Sequence, residues 1–346
     1  MPVSVRPFDD QSRKRAPLMH AMPGTADRDA RALAIDVGAA IMSVRDDVPA
    51  VVLASKGGDL ALPGGPVRPG ADIGIGIGLE DDLRRAVVAA TGLTLGHVEQ
   101  LCTLPLSRAA SNGTDAGPGV CISYLALTRP GALSARQGGC WAAWYEHLPW
   151  EDWREGRPRV LSEVIEPALH AWAGRAAGEV TEAGFGVAPA DRVRLAFGGA
   201  DSWDEERVAD RYEVLHASGL LVEAHGQAPR AELGEQAGHL LAGDHRHRLA
   251  IAIGRLRAKM KYRPVVFELM APEFTLFELQ RVVEAILGTR LHKQNFRRLV
   301  EGTGLVEPTG ETKLHTGGRP AKQMRFRREV IMERACTGLR VRSGRA

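Results

Sequence analysis

Thr275-Leu276-Phe277-Glu278, continued by Leu279-Gln280-Arg281-Val282-Val283-Glu284-Ala285-Ile286-Leu287-Gly288, spells out a helix with both of its ends. A Thr and a Glu three residues apart make a capping box, in which the hydroxyl accepts from the Glu amide and the carboxylate reaches back to the Thr amide. Phe274 and Leu279 take the positions of a hydrophobic staple. Leu276, Leu279, Val283, Ile286 and Leu287 recur at helical spacing, and Gly288 stops the run. After a short turn, a second helix is predicted from near Leu291. Its apolar stripe is Phe296, Leu299 and Val300, and its opposite face carries Gln294, Arg297, Arg298 and Glu301.

Downstream, Leu305-Val306-Glu307 and Met324-Arg325-Phe326 are predicted to pair around a long polar hairpin with Gly317-Gly318-Arg319-Pro320 at its tip. Helix, turn, helix and β-hairpin make a winged helix. A basic second helix fits a major groove about 12 Å wide, where Arg can bond guanine twice and Gln can do the same for adenine. Arg297 and Arg298 are therefore the first candidates for base contacts and Gln294 the next, with Asn295 towards the apolar border and Phe296 in the core. Lys293, Lys313, Lys322 and Arg325 suit phosphates, and Arg319 suits a narrow minor groove. Thr275, at the mouth of the first helix, joins them as a candidate DNA contact. The bland alternative is a solvated basic face, or a winged helix used for protein contacts; capping, spacing, wing and charge together favour DNA.

The charge is visible only when the chain is divided. All 346 residues carry a formal charge of +3. From Arg246 to the end, 22 lysines and arginines face 9 acidic residues, a net +13, which leaves −10 for the rest. Opposite signs on one chain suggest two jobs, the basic one with a polyanion. Composition is ordinary for a globular protein, with 44% hydrophobic and 25% charged residues. No apolar run reaches the ~18 residues of a membrane helix, and the first 30 residues lack a secretory pattern. Cys102, Cys121, Cys140 and Cys336 are scattered, which favours reduced thiols in a cytoplasm over a zinc site.

Upstream, Ile35–Met42 and Val48–Ala54 read as strands, as do Leu101–Leu106 and Val120–Leu127. Leu62-Pro63-Gly64-Gly65-Pro66 reads as a loop, and the Gly74, Gly76, Gly78 run as a flexible insertion. Glu80-Asp81-Asp82 begins a helix that ends at Thr91-Gly92. The tryptophans at 141, 144, 150 and 153 are expected in core and edge packing, ahead of a helix over 161–172. Trp203-Asp204-Glu205-Glu206-Arg207 is expected to open a further helix. His239, His245 and His247 are expected on a solvated helix or loop rather than around a metal.

Leu62 to Gly70 resembles the opening of a Nudix box, and Arg85 to Leu93 resembles its end. The motif in that family holds magnesium on several glutamates against a pyrophosphate. Here the helix glutamate positions fall on Ala86, Ala89 and Ala90, the loop position falls on Ala71, and 13 residues rather than 7 separate Ala71 from Arg85. The resemblance thus implies a retained scaffold without its metal site. It places effector binding at Gly64, Gly65, Arg68 and Arg85, with no catalytic residue, metal or cofactor.

A degenerate Nudix domain before a winged helix is similar to the Nudix-related transcriptional regulators of NAD metabolism, the NrtR family. The shared residues are Phe274-Thr275-Leu276-x-Glu278-Leu279-Gln280, Leu287-Gly288, Asn295-Phe296-Arg297-Arg298, Gly318-Arg319-Pro320-Ala321 and Arg255-Leu256-Arg257-Ala258-Lys259-x-x-Tyr262. The resemblance implies an α+β protein, a degenerate Nudix α/β/α sandwich followed by a C-terminal winged helix-turn-helix. It also implies a dimeric repressor of NAD biosynthesis or salvage genes, with ADP-ribose or a related nucleotide as effector and a palindromic operator. The expected division is a flexible tail over 1–30, the Nudix-like domain over 31–172, and a helical connector of unassigned role over 173–245. The winged helix then takes 246–329 and a basic tail 330–346. Two other classes compete: a pyrophosphohydrolase with a metal site displaced to Glu80, Asp81 and Asp82, and an architectural DNA binder that ignores nucleotides.

Overall fold

A computed structural model of the chain describes residues 33–67, 78–106, 119–131, 133, 138–175, 187–198, 203–224, 233–313, 320–330 and 338–339. Expectations for the 1–30 tail, for Arg68 and Ala71, for Gly74 and Gly76, for Arg319 at the wing tip, and for most of the 330–346 tail with Cys336 lie outside these residues.

β1 (Ala34–Arg45) and β2 (Val48–Lys56) form a hairpin turned on Asp46 and Asp47, both at positive φ. Asp tolerates that left-handed geometry, which matches the twist of paired strands. β3 (Asp59–Ala61) pairs with β2, and β4 (Gly64–Pro66) pairs with the first half of β1. The stretch around Gly64, expected as loop, is therefore partly strand. Gly64 permits it: a Cβ there would stand 2.3 Å from the Val37 carbonyl oxygen.

α1 (Leu79–Thr91) follows and ends on Gly92 in the left-handed region. β5 (His97–Pro105) and β6 (Gly119–Leu127) continue the sheet, in which β6 lies parallel to β1. β7 (Gly139–Ala143) adds to β2 and runs into the short α2 (Trp144–His147).

The unbroken apolar run of β1 is explained by cover on both faces. Val37, Ala39 and Ile41 meet Leu83 and Val87 of α1, whereas Ala40, Met42 and Val44 belong to the larger core on the other face. Trp144 and Trp150 are fully buried in that larger core, as their expected packing role requires.

A π turn at Leu161–Ile165 leads into α3 (Glu166–Arg175), and α4 (Pro189–Phe197) and α5 (Val208–Ala217) follow. The 203–207 segment expected to open a helix is a turn instead. Its carbonyls are already engaged: Asp204 accepts from Arg211 at 2.8 Å and Glu205 from Arg257 at 2.9 Å. α6 (His245–Met260) then runs through the centre of the molecule, against β1, β5, α5 and α7.

The last part is β8 (Glu273–Thr275), α7 (Leu276–Leu287), α8 (Lys293–Thr303), β9 (Val306–Lys313) and β10 (Ala321–Phe326). Its sheet runs β8-β10-β9, with Val306 opposite Phe326 and Glu307 opposite Arg325. The predicted pairing of these strands is present, with β8 as a third strand. Sandwich and winged helix together make the α+β architecture expected.

Candidate nucleic-acid interface

The capping box at α7 has the geometry its sequence demands. The Thr275 hydroxyl accepts from the Glu278 amide at 3.2 Å, and the Glu278 carboxylate accepts from the Thr275 amide at 2.7 Å. This fixes where the first helix begins, and Gly288 in the left-handed region fixes where it ends. Thr275, expected as a DNA contact, is 1% exposed with its hydroxyl oxygen and amide both used in the cap.

α8 presents one face inward and one outward. Phe296 and Val300 are buried; Lys293, Gln294, Asn295, Arg297 and Arg298 are exposed. Asn295, expected near the apolar border, stands with the exposed group. Arg297 shares a 2.9 Å ion pair with Glu301 one turn on. Arg298 has no ion-pair or hydrogen-bond partner among the described residues, which leaves its five donors available.

On the wing, Lys322 is exposed, while two other expected phosphate ligands are partnered. Lys313 bonds Glu278 at 2.7 Å, tying the wing to the α7 cap, and Arg325 bonds Glu307 across the strands at 2.7 Å. Both remain solvent-accessible, so an exchange of carboxylate for phosphate is open to them.

The positive region is less exposed than its count implies. Arg246, Arg248 and Arg257 of α6 are buried, with none more than 5% exposed. Arg246 donates to Glu223 at 2.7 Å, and Arg248 pairs with Asp244 and donates to the Cys121 thiol at 3.0 Å. Burial pushes that thiol's pKa up, so it remains neutral.

Arg257 enters a buried cluster that sequence reading missed. Glu151 accepts from Arg211 at 2.6 and 2.9 Å and from Arg257 at 2.8 Å, with both acid and bases fully enclosed. Arg257 also donates to the Ile286 carbonyl at 2.9 Å, and the Tyr145 hydroxyl donates to that of Ala285 at 2.8 Å. α5 and α6 thus meet on the Glu151 carboxylate, and Arg257 carries the link on to the last turn of α7. Burial raises the Glu151 pKa, and the two guanidiniums outweigh it and hold the carboxyl below its ordinary value. A second bond joins the same parts, from Arg281 of α7 to Asp47 in the first hairpin turn at 2.9 Å. The only sequence signal for this cluster was the arginine-rich repeat at 255–257.

In the Nudix-like part, Gly65 faces α1: a Cβ on it would lie 3.8 Å from the Ala86 side chain. The Ala86 position therefore lies under the glycine loop, where a box glutamate is expected. Arg85 is exposed and pairs with Asp82 in its own helix. The acidic trio is engaged locally: Glu80 bonds Arg84 at 2.6 Å, Asp81 accepts from the Gly78 amide at 3.1 Å, and Asp82 holds Arg85. Among the described residues no group of three or more His, Cys, Asp or Glu could hold a metal ion.

His245 departs from its expected solvated setting. It is buried, and its Nδ1 accepts the Leu62 amide at 3.1 Å, so the start of α6 is fastened to the glycine loop. The bond requires a neutral ring, and burial, assisted by nearby Arg248, lowers the His245 pKa to about 3.

Residues 266–326 match the NrtR DNA-binding winged helix domain. The chain is 46% identical over 86 residues to the ADPR responsive transcriptional repressor NtrR of Acinetobacter baylyi, a match covering 25% of this chain and 34% of that protein. It thus spans about a third of the length of that curated relative. Shewanella oneidensis NrtR, crystallised with a 27mer DNA, is similar at 21% identity over 86% of this chain and 95% of that one, with a TM-score of 0.49. The Nudix domain of the same Shewanella protein, crystallised with ADP ribose, is 23% identical over 36% of this chain and 83% of its own length, at a TM-score of 0.30. Residues 266–326 thus form a winged helix domain of the NrtR type.

Proposed function

We propose that the protein is a DNA-binding transcriptional regulator, a repressor of NAD biosynthesis or salvage genes, whose Nudix-like domain senses an NAD-derived nucleotide such as ADP-ribose without cleaving it. The observation that carries the reading is α8, which buries Phe296 and Val300 while exposing Lys293, Gln294, Asn295, Arg297 and Arg298 on one face. Such a face suits the major groove, with Arg297, Arg298 and Gln294 on bases and Lys293, Lys322, Lys313 and Arg325 on phosphates. A homodimer in the cytoplasm would read a palindrome whose half-sites lie a whole number of helical turns apart.

The non-enzymatic part is supported by the alanines at the box positions and by the local engagement of Glu80, Asp81 and Asp82. Effector binding at Gly64, Gly65, Arg68 and Arg85 follows the Nudix resemblance. The glycine loop offers a short route to the reader, because His245 joins it to α6 and Arg257 joins α6 to α7. A nucleotide that prefers one arrangement of this path shifts the population of DNA-competent molecules.

The test is retention of promoter fragments by the purified protein, followed by elution with ADP-ribose. Retention with elution is the expected result. AMP released from ADP-ribose with Mg²⁺ would replace the sensor by a hydrolase, and retention that no nucleotide alters would leave an architectural binder.

A further inference from the structure

Phe277 is 53% exposed at the first turn of α7 and belongs to neither buried cluster. The packing of α7 rests on Leu279, Val283, Ile286 and Leu287, all buried, so the fold does not use this ring. It stands on a groove of about 660 Å³ between α7, α8 and the wing, which Pro308 and Met324 also line. Its charged lining is Lys293, Arg297 and Lys322 with one acid, Glu301. Lys293 and Lys322 have no ion-pair partner among the described residues, and Arg297 is held only by an exposed pair with Glu301.

A groove that combines apolar side chains with exposed cations fits a polymer that carries apolar sugar beside anionic phosphate. We propose that this groove seats one deoxyribose–phosphate strand of the bound duplex, with Phe277 packed on a sugar. The proposal rests on the DNA-binding reading above and adds to it a contact that is apolar, independent of sequence and independent of salt. Lys293 and Lys322 neutralise phosphates on either side; Phe277 neutralises none, so its contribution survives screening.

The experiment compares the wild-type full chain with Phe277→Ala and Lys322→Ala on two duplexes. One is enriched from a random pool by the wild-type protein and the other is an unselected sequence, each titrated over a series of salt concentrations. Because the ring is half-exposed and outside the core, Phe277→Ala is expected to keep the wild-type Tm. It should weaken binding roughly five- to tenfold on both duplexes, as expected for removing a half-buried aromatic contact. Its slope of log affinity against log salt should match wild type, while that of Lys322→Ala should fall by about 1. Phe277→Leu should restore part of the loss.

Affinity of Phe277→Ala within twofold of wild type on both duplexes would overturn the proposal and leave the DNA reading standing. A loss confined to the enriched duplex would make Phe277 a base reader and overturn it too. Failure of the wild-type protein to retain any duplex would sink the underlying reading itself.

Discussion

At the scale of single residues, Arg298 and Lys322 separate reading from holding. Arg298, exposed and unpartnered among the described residues, is the proposed reader of a base edge, and Lys322, exposed on the wing, is the proposed phosphate contact. Arg298→Ala is expected to cost about 1–3 kcal/mol on the preferred duplex and to relax choice at one base pair, as measured by competition between single-base variants. Lys322→Ala should weaken all sequences alike. Equal behaviour of the two substitutions on preferred and unselected DNA would remove the direct-readout role of Arg298. His245 is a residue of another kind, because its proton bears on stability. Its folded-state pKa of about 3 lies below the ordinary value of 6.5, so between those limits the unfolded chain binds a proton that the folded chain refuses. Stability therefore falls as pH drops through that window, by about 2 kcal/mol between pH 7.5 and pH 5. Urea unfolding at the two pH values should show this loss, and His245→Asn should flatten it.

At the scale of elements, α7 is fixed by its termini. The cap bonds at Thr275 and the glycine at 288 set its start and stop before any tertiary contact is counted. Thr275→Ala is expected to destabilise the protein by about 1 kcal/mol, seen as a lower midpoint in thermal or urea unfolding. The same substitution removes only the bond from the Glu278 amide to the hydroxyl: the backbone amide of residue 275 still donates to the Glu278 carboxylate, which with Lys313 holds that carboxyl's pKa down against the opposing effect of burial. α6 illustrates the opposite case. It lacks a side-chain cap bond, and its place is set by what surrounds it: Leu249, Ile253 and Leu256 are fully buried, and its arginines reach to separate parts of the chain.

At the scale of the whole molecule, Glu151 joins three regions that are remote in sequence. Two guanidiniums converge on it, and Arg257 carries the connection on to the end of α7. α5 contributes Arg211 to this cluster and so has a defined structural place. Glu151→Gln leaves two buried cations without the anion they share, which is expected to cost about 3–5 kcal/mol. The sign with pH follows from the lowered carboxyl: its stabilisation is present above the ordinary carboxylate range and is lost as pH falls through the folded-state value. Calorimetry of Glu151→Gln against wild type at neutral pH measures the cost. A change below about 0.5 kcal/mol would show that the cluster does not bind the regions together.

What the sequence determined by itself is the part built from local bonds. The capping box, the 3.6-residue stripes of α7 and α8, and the glycine stops all lie within a few residues of their partners, so their spacing reveals them. The alternation of β1 between two cores is legible for the same reason, as a run apolar on both faces. The tertiary structure alone decided the rest. Arg257 and Glu151 are separated by 106 residues and His245 and Leu62 by 183, and no spacing rule links positions so far apart. Counted along the chain, the arginines of α6 read as surface charge meant for a polyanion. Desolvation makes them costly to bury, and only the folded chain supplies the carboxylates and carbonyls that make such burial tolerable.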